Sequence, residues 1–358
     1  MDASLSPFDH QKTQNTEPKK SFITSLITLR SNNIKEDTYF VSELKPTEQK
    51  SLQELKEKLK ASSSKASSMW GVSLLGGDDK ADVILLKFLR ARDFKVADSL
   101  RMLEKCLEWR EEFKAEKLTE EDLGFKDLEG KVAYMRGYDK EGHPVCYNAY
   151  DLKDMPKREL RVASNQILSL FQDNYPEMVA TKIFINVPWY FSVIYSMFSP
   201  FLTHRTKSKF VMSKEGNAAE TLYKFIRPED IPVQYGGLSR PTDSQNGPPK
   251  PASEFSIKGG EKVNIQIEGI EGGATITWDI VVGGWDLEYS AEFVPNAEES
   301  YTIVVEKPKK MKASDEAVCN SFTTVEAGKL ILSVDNTLSR KKKVAAYRYT
   351  VRKSTTTA

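Results

Sequence analysis

The sequence predicts a multidomain protein: a helical N-terminal module, an α/β layer, and an all-β sandwich at the C-terminal end. Three observations predict it. Apolar residues recur at three- and four-residue intervals at Leu52, Leu55 and Leu59 and again at Val96, Leu100, Leu103 and Leu107, β-rich and helical stretches interleave between Lys131 and Phe225, and six runs of alternating apolar and polar residues fall between Val263 and Val351.

Residues 1–45 are rich in Ser, Thr, Asn, Gln and Lys with short apolar islands, a composition that cannot bury enough surface to order itself, and are expected to be disordered. From Pro46 the pattern is helical, carried by Leu52, Leu55 and Leu59. A Ser/Gly-rich break to Gly77 reads as a flexible loop, and Asp78 and Asp79 then stand where an N-cap and a first-turn acid belong. Ala81 to Ala91 is apolar enough to be buried, and Phe94 to Lys114 carries a stripe of Val96, Leu100, Leu103 and Leu107.

Val132, Tyr134 and Pro144 to Tyr147 flank the turn-rich Asp139-Lys-Glu-Gly142, which predicts a hairpin. Helix is expected at Lys157 to Gln172, strands at Lys182 to Val187 and Lys209 to Met212, and helix again at Ala218 to Phe225. Ser239 to Glu254, rich in Pro, Ser, Gly and Asn, reads as a linker. Beyond it, six alternating runs separated by Gly259-Gly260, Gly272-Gly273 and Asp335-Asn336 predict a sandwich with one wet face per sheet.

Ile183 to Leu202 contains no charged residue and is followed by the basic His204 to Lys209. The length is that of a membrane span, but Pro188 and Pro200 break it. The helix left between them reaches roughly 18 Å, little more than half of a bilayer core. Being apolar on every side, it is either buried or in contact with lipid. As a gate that swings into a bilayer surface and covers acyl chains in transit, it would act through Trp189, Phe191, Ile194, Tyr195 and Phe198.

The 52 Lys and Arg against 51 Asp and Glu leave a formal net charge of +1, so binding to nucleic acid or anionic membrane has to come from local patches. Two such clusters leave the sandwich strands, Lys309, Lys310 and Lys312 in one and Arg340, Lys341, Lys342 and Lys343 in the other. Both fit turn residues that keep strand ends soluble; converging on one end, they would form a surface for anionic headgroups. Cys106, Cys146 and Cys319 have neither metal-ligand nor redox spacing and suit a reducing cytosol. Residues 1–20 lack the apolar core of a secretory signal. His10, His143 and His204 are scattered, no Gly-x-Ser-x-Gly elbow exists, and Gly71 to Lys80 fails the phosphate-loop pattern. Neither an enzyme nor a cofactor or metal site is expected.

Leu85-Leu-Lys-Phe-Leu-Arg-Ala-Arg92, Cys106 to Phe113, Asn174-Tyr-Pro-Glu177, Phe191 to Leu202, Thr206-Lys-Ser-Lys209 and Pro228 to Gly237 together resemble a CRAL-TRIO lipid-transfer domain with its N-terminal helical extension. The trailing sandwich resembles a GOLD domain, and the combination resembles the plant patellins. The resemblance implies five segments: a disordered stretch at 1–45, the helical extension at 46–125, the lipid-binding domain at 126–238, a linker at 239–254 and the GOLD sandwich at 255–353. It further implies a cytoplasmic phosphoinositide carrier, peripheral on membranes, that acts in trafficking and cell-plate formation, with protein partners for the GOLD domain and none among nucleic acids. The alternative is a non-transferring adaptor. By resemblance, Arg92, Glu177, Thr206 and Lys209 surround the inositol phosphate; without it each reads as a solvated surface charge. The residue after Arg92, often Lys in the family, is Asp93 here.

One departure is larger. The family carries helices and a central strand between the positions of Tyr150 and Asp151, a piece on the order of 50 residues by typical element lengths. Loss of an inner strand leaves ladder groups unpaired at about 1 to 3 kcal/mol each. The resemblance therefore implies one of two outcomes: Val145 to Lys153 abandons its hairpin and slides into the vacant position, or the domain is left open or unstable.

Overall fold

The computed structural model describes residues 41–62, 68–118, 133–148, 169–188, 195–196, 207–241, 243, 250–283, 287–312 and 316–353. The helical module is built on α1 (Pro46–Ala61), α2 (Asp79–Ala91) and α3 (Val96–Glu112). Pro46 opens α1, where its missing N–H costs nothing, and Glu48 reaches back to accept from the Lys45 backbone at 3.0 Å. Asp78 caps α2 by accepting from Lys80 N at 2.9 Å. Leu52, Leu55 and Leu59 of α1 meet Leu85, Phe88 and Leu89 of α2 and Leu103 and Leu107 of α3 in one core. Each such side chain contributes roughly 1.5 to 3 kcal/mol of burial. Between α1 and α2, where a flexible loop was expected, Ser68–Met69 (β1) pairs with Val72–Ser73 (β2), because Met69 and Leu74 are both drawn fully into that core.

The hairpin forms as its sequence suggests. Ala133–Tyr138 (β3) pairs antiparallel with Pro144–Asn148 (β4), and Asp139 Oδ1 closes the turn by accepting from Glu141 N and His143 N. Tyr134, Tyr147 and Tyr235 stack in file with centroids 5.4 and 5.5 Å apart. This corrects the expectation that Val145 leaves its hairpin: Cys146 and Tyr147 remain opposite Met135 and Tyr134, and Val145 packs on the core beneath. The stacked tyrosines and the turn hydrogen bonds would all be lost in the move. Residues 149–153, the rest of that segment, lie outside the described residues.

Lys182–Val187 (β5) runs parallel to Phe210–Lys214 (β6), with Ile183 opposite Val211. Short α4 (Ala218–Leu222) follows, then a tight chain reversal in which Leu238 N donates to Pro228 O at 2.8 Å. Gly237 is obligatory there, since a Cβ would lie 2.1 Å from the Ile231 carbonyl oxygen.

The sandwich has two antiparallel four-stranded sheets. One is ordered β11-β10-β13-β8 and comprises Ile303–Met311 (β11), Leu287–Pro295 (β10), Gly328–Asp335 (β13) and Lys262–Ile270 (β8). The other is β12-β9-β14-β7, comprising Val318–Thr323 (β12), Thr275–Gly283 (β9), Lys343–Arg352 (β14) and Ser253–Ile257 (β7). Trp278, Tyr289, Phe293 and Leu332 fill the space between them, and the Trp278 indole N–H donates to Tyr289 Oη at 2.7 Å.

The expectation of a wet outer face fails for the middle of the second sheet. Val281 and Ala346 point away from the sandwich core and are buried against Ala219, Leu222, Tyr223, Ile226 and Ile231. The α/β part and the sandwich thus share a hydrophobic core, at which Gly283 lies so close to Ala219 that a Cβ would come within 2.4 Å of its methyl. The start of the segment read as a linker is also pinned: Arg240 donates to Asp279 at 2.7 Å, Arg136 Nε donates to Ser239 Oγ at 2.9 Å, and β7 begins at Ser253. No helix among the described residues is long and apolar enough to cross a membrane.

Candidate functional site

Glu177 follows a proline and adopts a left-handed φ of 55°, uncommon for a residue with a side chain. Its environment holds it there. Upstream, the buried Asn174 donates to Leu170 O and accepts the Cys106 thiol on its carbonyl, which ties this turn to α3. The Glu177 carbonyl accepts from Lys87 Nζ of α2 at 3.0 Å, and its Oε2 lies 2.7 Å from Lys209 Nζ, just ahead of β6. The Lys209 and Glu177 side chains are only 17% and 12% exposed, so the pair is a semi-buried one with little solvent screening.

Arg90, buried in the last turn of α2, adds a third cation. Burial pulls the Lys87 ammonium below its ordinary range; Glu177 opposes that, while Arg90 and Lys209 reinforce it. Lys87 and Lys209 both bond Glu177, one at its carbonyl and one at its carboxylate, Arg90 lies near enough to Lys87 to repel it, and a further anion beside Lys87 would relieve it. Phosphate oxygens suit it, with Arg as a planar fork and Lys as a point charge.

Of the residues expected at a headgroup, Glu177 and Lys209 are brought together. Arg92 is not: it is the exposed C-cap of α2 and its Nη1 donates to the Ala91 carbonyl at 3.1 Å. Thr206 lies outside the described residues. Lys87 and Arg90 were missed, although their spacing of three on a helix places them on one face, and an Arg inside an otherwise apolar run was a visible signal.

Beside the cluster stands an aromatic surface. Phe184 and Phe210 stack at 5.7 Å, Lys182 Nζ lies 5.3 Å from the Phe210 centroid, and the Tyr195 centroid lies 5.8 Å from that of Phe210. Tyr195 is the one described member of the expected gate; Trp189, Phe191, Ile194 and Phe198 lie outside the described residues.

The two basic clusters lie at the same end of the sandwich. Glu288 of β10 faces Lys310 on one side and Asp335 on the other, so β11 reaches the end of the sheet from which the 336–342 loop projects. Lys309, Lys310, Lys312, Arg340, Lys341 and Lys342 are exposed at that end. Lys343 is not part of the surface: it opens β14 opposite Ile257 and is 5% exposed.

Comparison with known proteins identifies the domains. Residues 51–105 match the family described as CRAL/TRIO, N-terminal domain, residues 147–237 the CRAL/TRIO domain, and residues 258–343 the Patellin-1-like, C-terminal GOLD domain. The chain is 20% identical to Sfh5, whose crystal structure superposes with a TM-score of 0.41 over 50% of this chain and 84% of that one. It is 40% identical to Patellin-3 of Arabidopsis thaliana, covering 94% of this chain and 80% of the relative. With Patellin-6 of the same plant it shares 86% identity over 408 aligned positions, covering all of both chains. The chain has 358 residues, so fifty of those positions have no counterpart in it, the size of the segment expected to be missing at Tyr150 and Asp151. Three domains in this order, with identity of this extent along the whole length, leave one conclusion: the chain belongs to the patellin family.

Proposed function

We propose that this protein is a phosphoinositide carrier that works in the cytoplasm on the surface of membranes, in trafficking and in building the cell plate during cytokinesis. As a patellin with a CRAL-TRIO domain it is a lipid-binding carrier. The finer reading rests on one observation: Lys209 pairs with the Glu177 carboxylate, Lys87 bonds the Glu177 carbonyl, and Arg90 stands near enough to Lys87 to repel it, with burial holding the Lys87 pKa down. A phosphorylated inositol ring supplies the second anion, and its hydroxyls can donate to Glu177. The aromatic file of Phe184, Phe210 and Tyr195 offers a surface for an acyl chain, where each CH₂ removed from water contributes roughly 0.8 kcal/mol.

Organic extraction of the purified full chain, followed by mass spectrometry, tests the carrier reading. A stoichiometric phospholipid, enriched in phosphoinositides and depleted in Lys209→Ala, is expected. An empty protein would favour the second reading, an adaptor acting through its sandwich, for which the fifty absent alignment positions speak.

A further inference from the structure

The strands of the sandwich share one axis, so their register sorts the loops into two ends of opposite sign. The end carrying Lys310 and Arg340 to Lys342 is predominantly basic. At the other end Phe293 pairs with Ile303 and Pro295 with Gly328, and the adjoining loops hold Glu271, Glu298, Glu299 and Glu326 against two cations, Arg352 and Lys353, the latter paired with Glu271 at 2.7 Å. Large apolar side chains are bare at both ends: Leu338 is 90% exposed at the basic one, and Tyr301 and Val325 are 91% and 90% exposed at the acidic one. Near an anionic bilayer the carboxylates repel and the ammonium groups attract, at about 1 kcal/mol for each Lys or Arg close to the surface. Charge therefore selects Leu338 as the residue that reaches lipid.

A single exposed leucine is ordinary, but the seat of this one is not. Asn336, 2% exposed, donates through Nδ2 to the carbonyls of Lys258 and Lys341, both at 2.9 Å, and through its backbone N–H to Glu261 O at 2.9 Å. Its own carbonyl accepts from Gly260 and Ser339. Asp335 Oδ1 accepts from Thr337 N at 2.7 Å. On the neighbouring loop a Cβ at Gly259 would lie 2.4 Å from the Arg340 carbonyl carbon, so the two loops are in close contact. The 336–342 turn is braced from beneath, and it holds Leu338 outward beside three cations. That combination joins an apolar point to adjacent positive charge, the two contributions, buried apolar area and attraction to anionic lipid, on which interfacial binding depends.

We propose that the 336–342 loop is a membrane-inserting tip, with Leu338 entering the interfacial layer of an anionic bilayer while Arg340, Lys341 and Lys342 engage its headgroups. This rests on the reading of the protein as one that works on membrane surfaces, and it adds the part that enters.

The test uses the full chain with vesicles of phosphatidylcholine, with and without phosphatidylserine. Leu338→Asp is expected to weaken partitioning onto the serine-containing vesicles by roughly tenfold or more, the loss set by burying one leucine. Leu338→Trp is expected to bind at least as well as the wild type. Its difference emission spectrum against the wild type should shift to the blue on those vesicles alone, with quenching by spin-labelled acyl chains. Unchanged partitioning of Leu338→Asp overturns insertion, as does a tryptophan that stays in water while the protein is bound, the result an acidic protein-like surface contact would give. The triple change Arg340→Glu, Lys341→Glu, Lys342→Glu separates the two readings. If it abolishes binding while Leu338→Asp does not, docking by charge stands and insertion falls; if neither affects binding, the membrane reading at this end falls too.

Discussion

Arg348 and Asp279 face each other across β14 and β9, Nε on Oδ2 at 2.7 Å, on the side of the sheet turned away from the sandwich core. Asp279 gives its other oxygen to Arg240 at 2.7 Å, and Arg348 extends Nη2 to Asp243 and to the Leu238 carbonyl, both at 3.1 Å. Two residues of the sandwich thus grip the chain as it leaves the α/β part. Replacing Asp279 with Asn keeps the shape and removes the charge between two guanidiniums. Breaking such a pair costs about 3 to 5 kcal/mol when fully buried. Partial exposure, 11% at Asp279 and 23% at Arg240, brings the expected loss to about 2 kcal/mol. A lower urea midpoint and faster proteolysis within 244–249 are the readouts.

Acid should loosen the same grip. Burial pushes the Asp243 carboxyl up, but the Arg240 backbone N–H and the Arg348 guanidinium outweigh it and hold the group below its usual 3.8. A carboxylate depressed in the folded state contributes stability that is fully present above the unfolded value and is lost as pH falls through the folded one. The urea midpoint of the wild type is expected to drop below about pH 4. Asp243→Asn should remove part of that slope.

Lys87 should show opposite signs in stability and binding. Its pKa is lowered chiefly by burial, so the folded state penalises its charged form. Stability therefore rises with pH as Lys87 loses its proton ahead of the unfolded chain, in a window ending near 10.5. Lys87→Met is expected to hold or raise the urea midpoint at neutral pH while lowering affinity for phosphoinositide vesicles by about tenfold, one charge-assisted hydrogen bond. Wild-type affinity should fall as pH rises through the same window, because a phosphate favours the protonated amine.

The shared core predicts a mutation that separates the two parts without unfolding either. Gly283→Val drives a branched side chain into the Ala219 methyl and Val344 Cγ2, which a Cβ alone would approach to 2.4 and 3.1 Å. Overpacking of this kind costs typically about 1 to 3 kcal/mol. Calorimetry should then resolve two transitions where the wild type gives one.

The strands that alternate cleanly were legible in the sequence: β5 begins and ends where the apolar run and Pro188 put it, and β8, β9, β10, β13 and β14 contain the runs read for them. β12 was not, because Asn320 stands between Val318 and Phe322 on the inward face, where it bonds Glu306 of the other sheet. Nor was β7, a short strand behind a proline-rich stretch, whose Phe255 and Ile257 offer too few alternations to count. The polar composition of 239–243 looked like slack because ion pairs between segments distant in sequence leave no periodic trace. At the site, the chain order of Arg90 and Arg92 could not say which one is buried beside Lys87. The helix end decides: Arg90 is inside the last turn of α2, whereas Arg92 is already past it.

The opposite signs of the two sandwich ends act before anything touches. With a net charge of +1 the molecule as a whole is drawn only feebly toward a negative sheet of lipid, yet a body with separated poles experiences a torque even when its net attraction is small. Within a Debye length, about 8 Å in physiological salt, that torque turns the needle so that its positive pole leads. Salt would then blunt the aim of an approaching molecule, raising the share of encounters that meet the wrong pole and rebound.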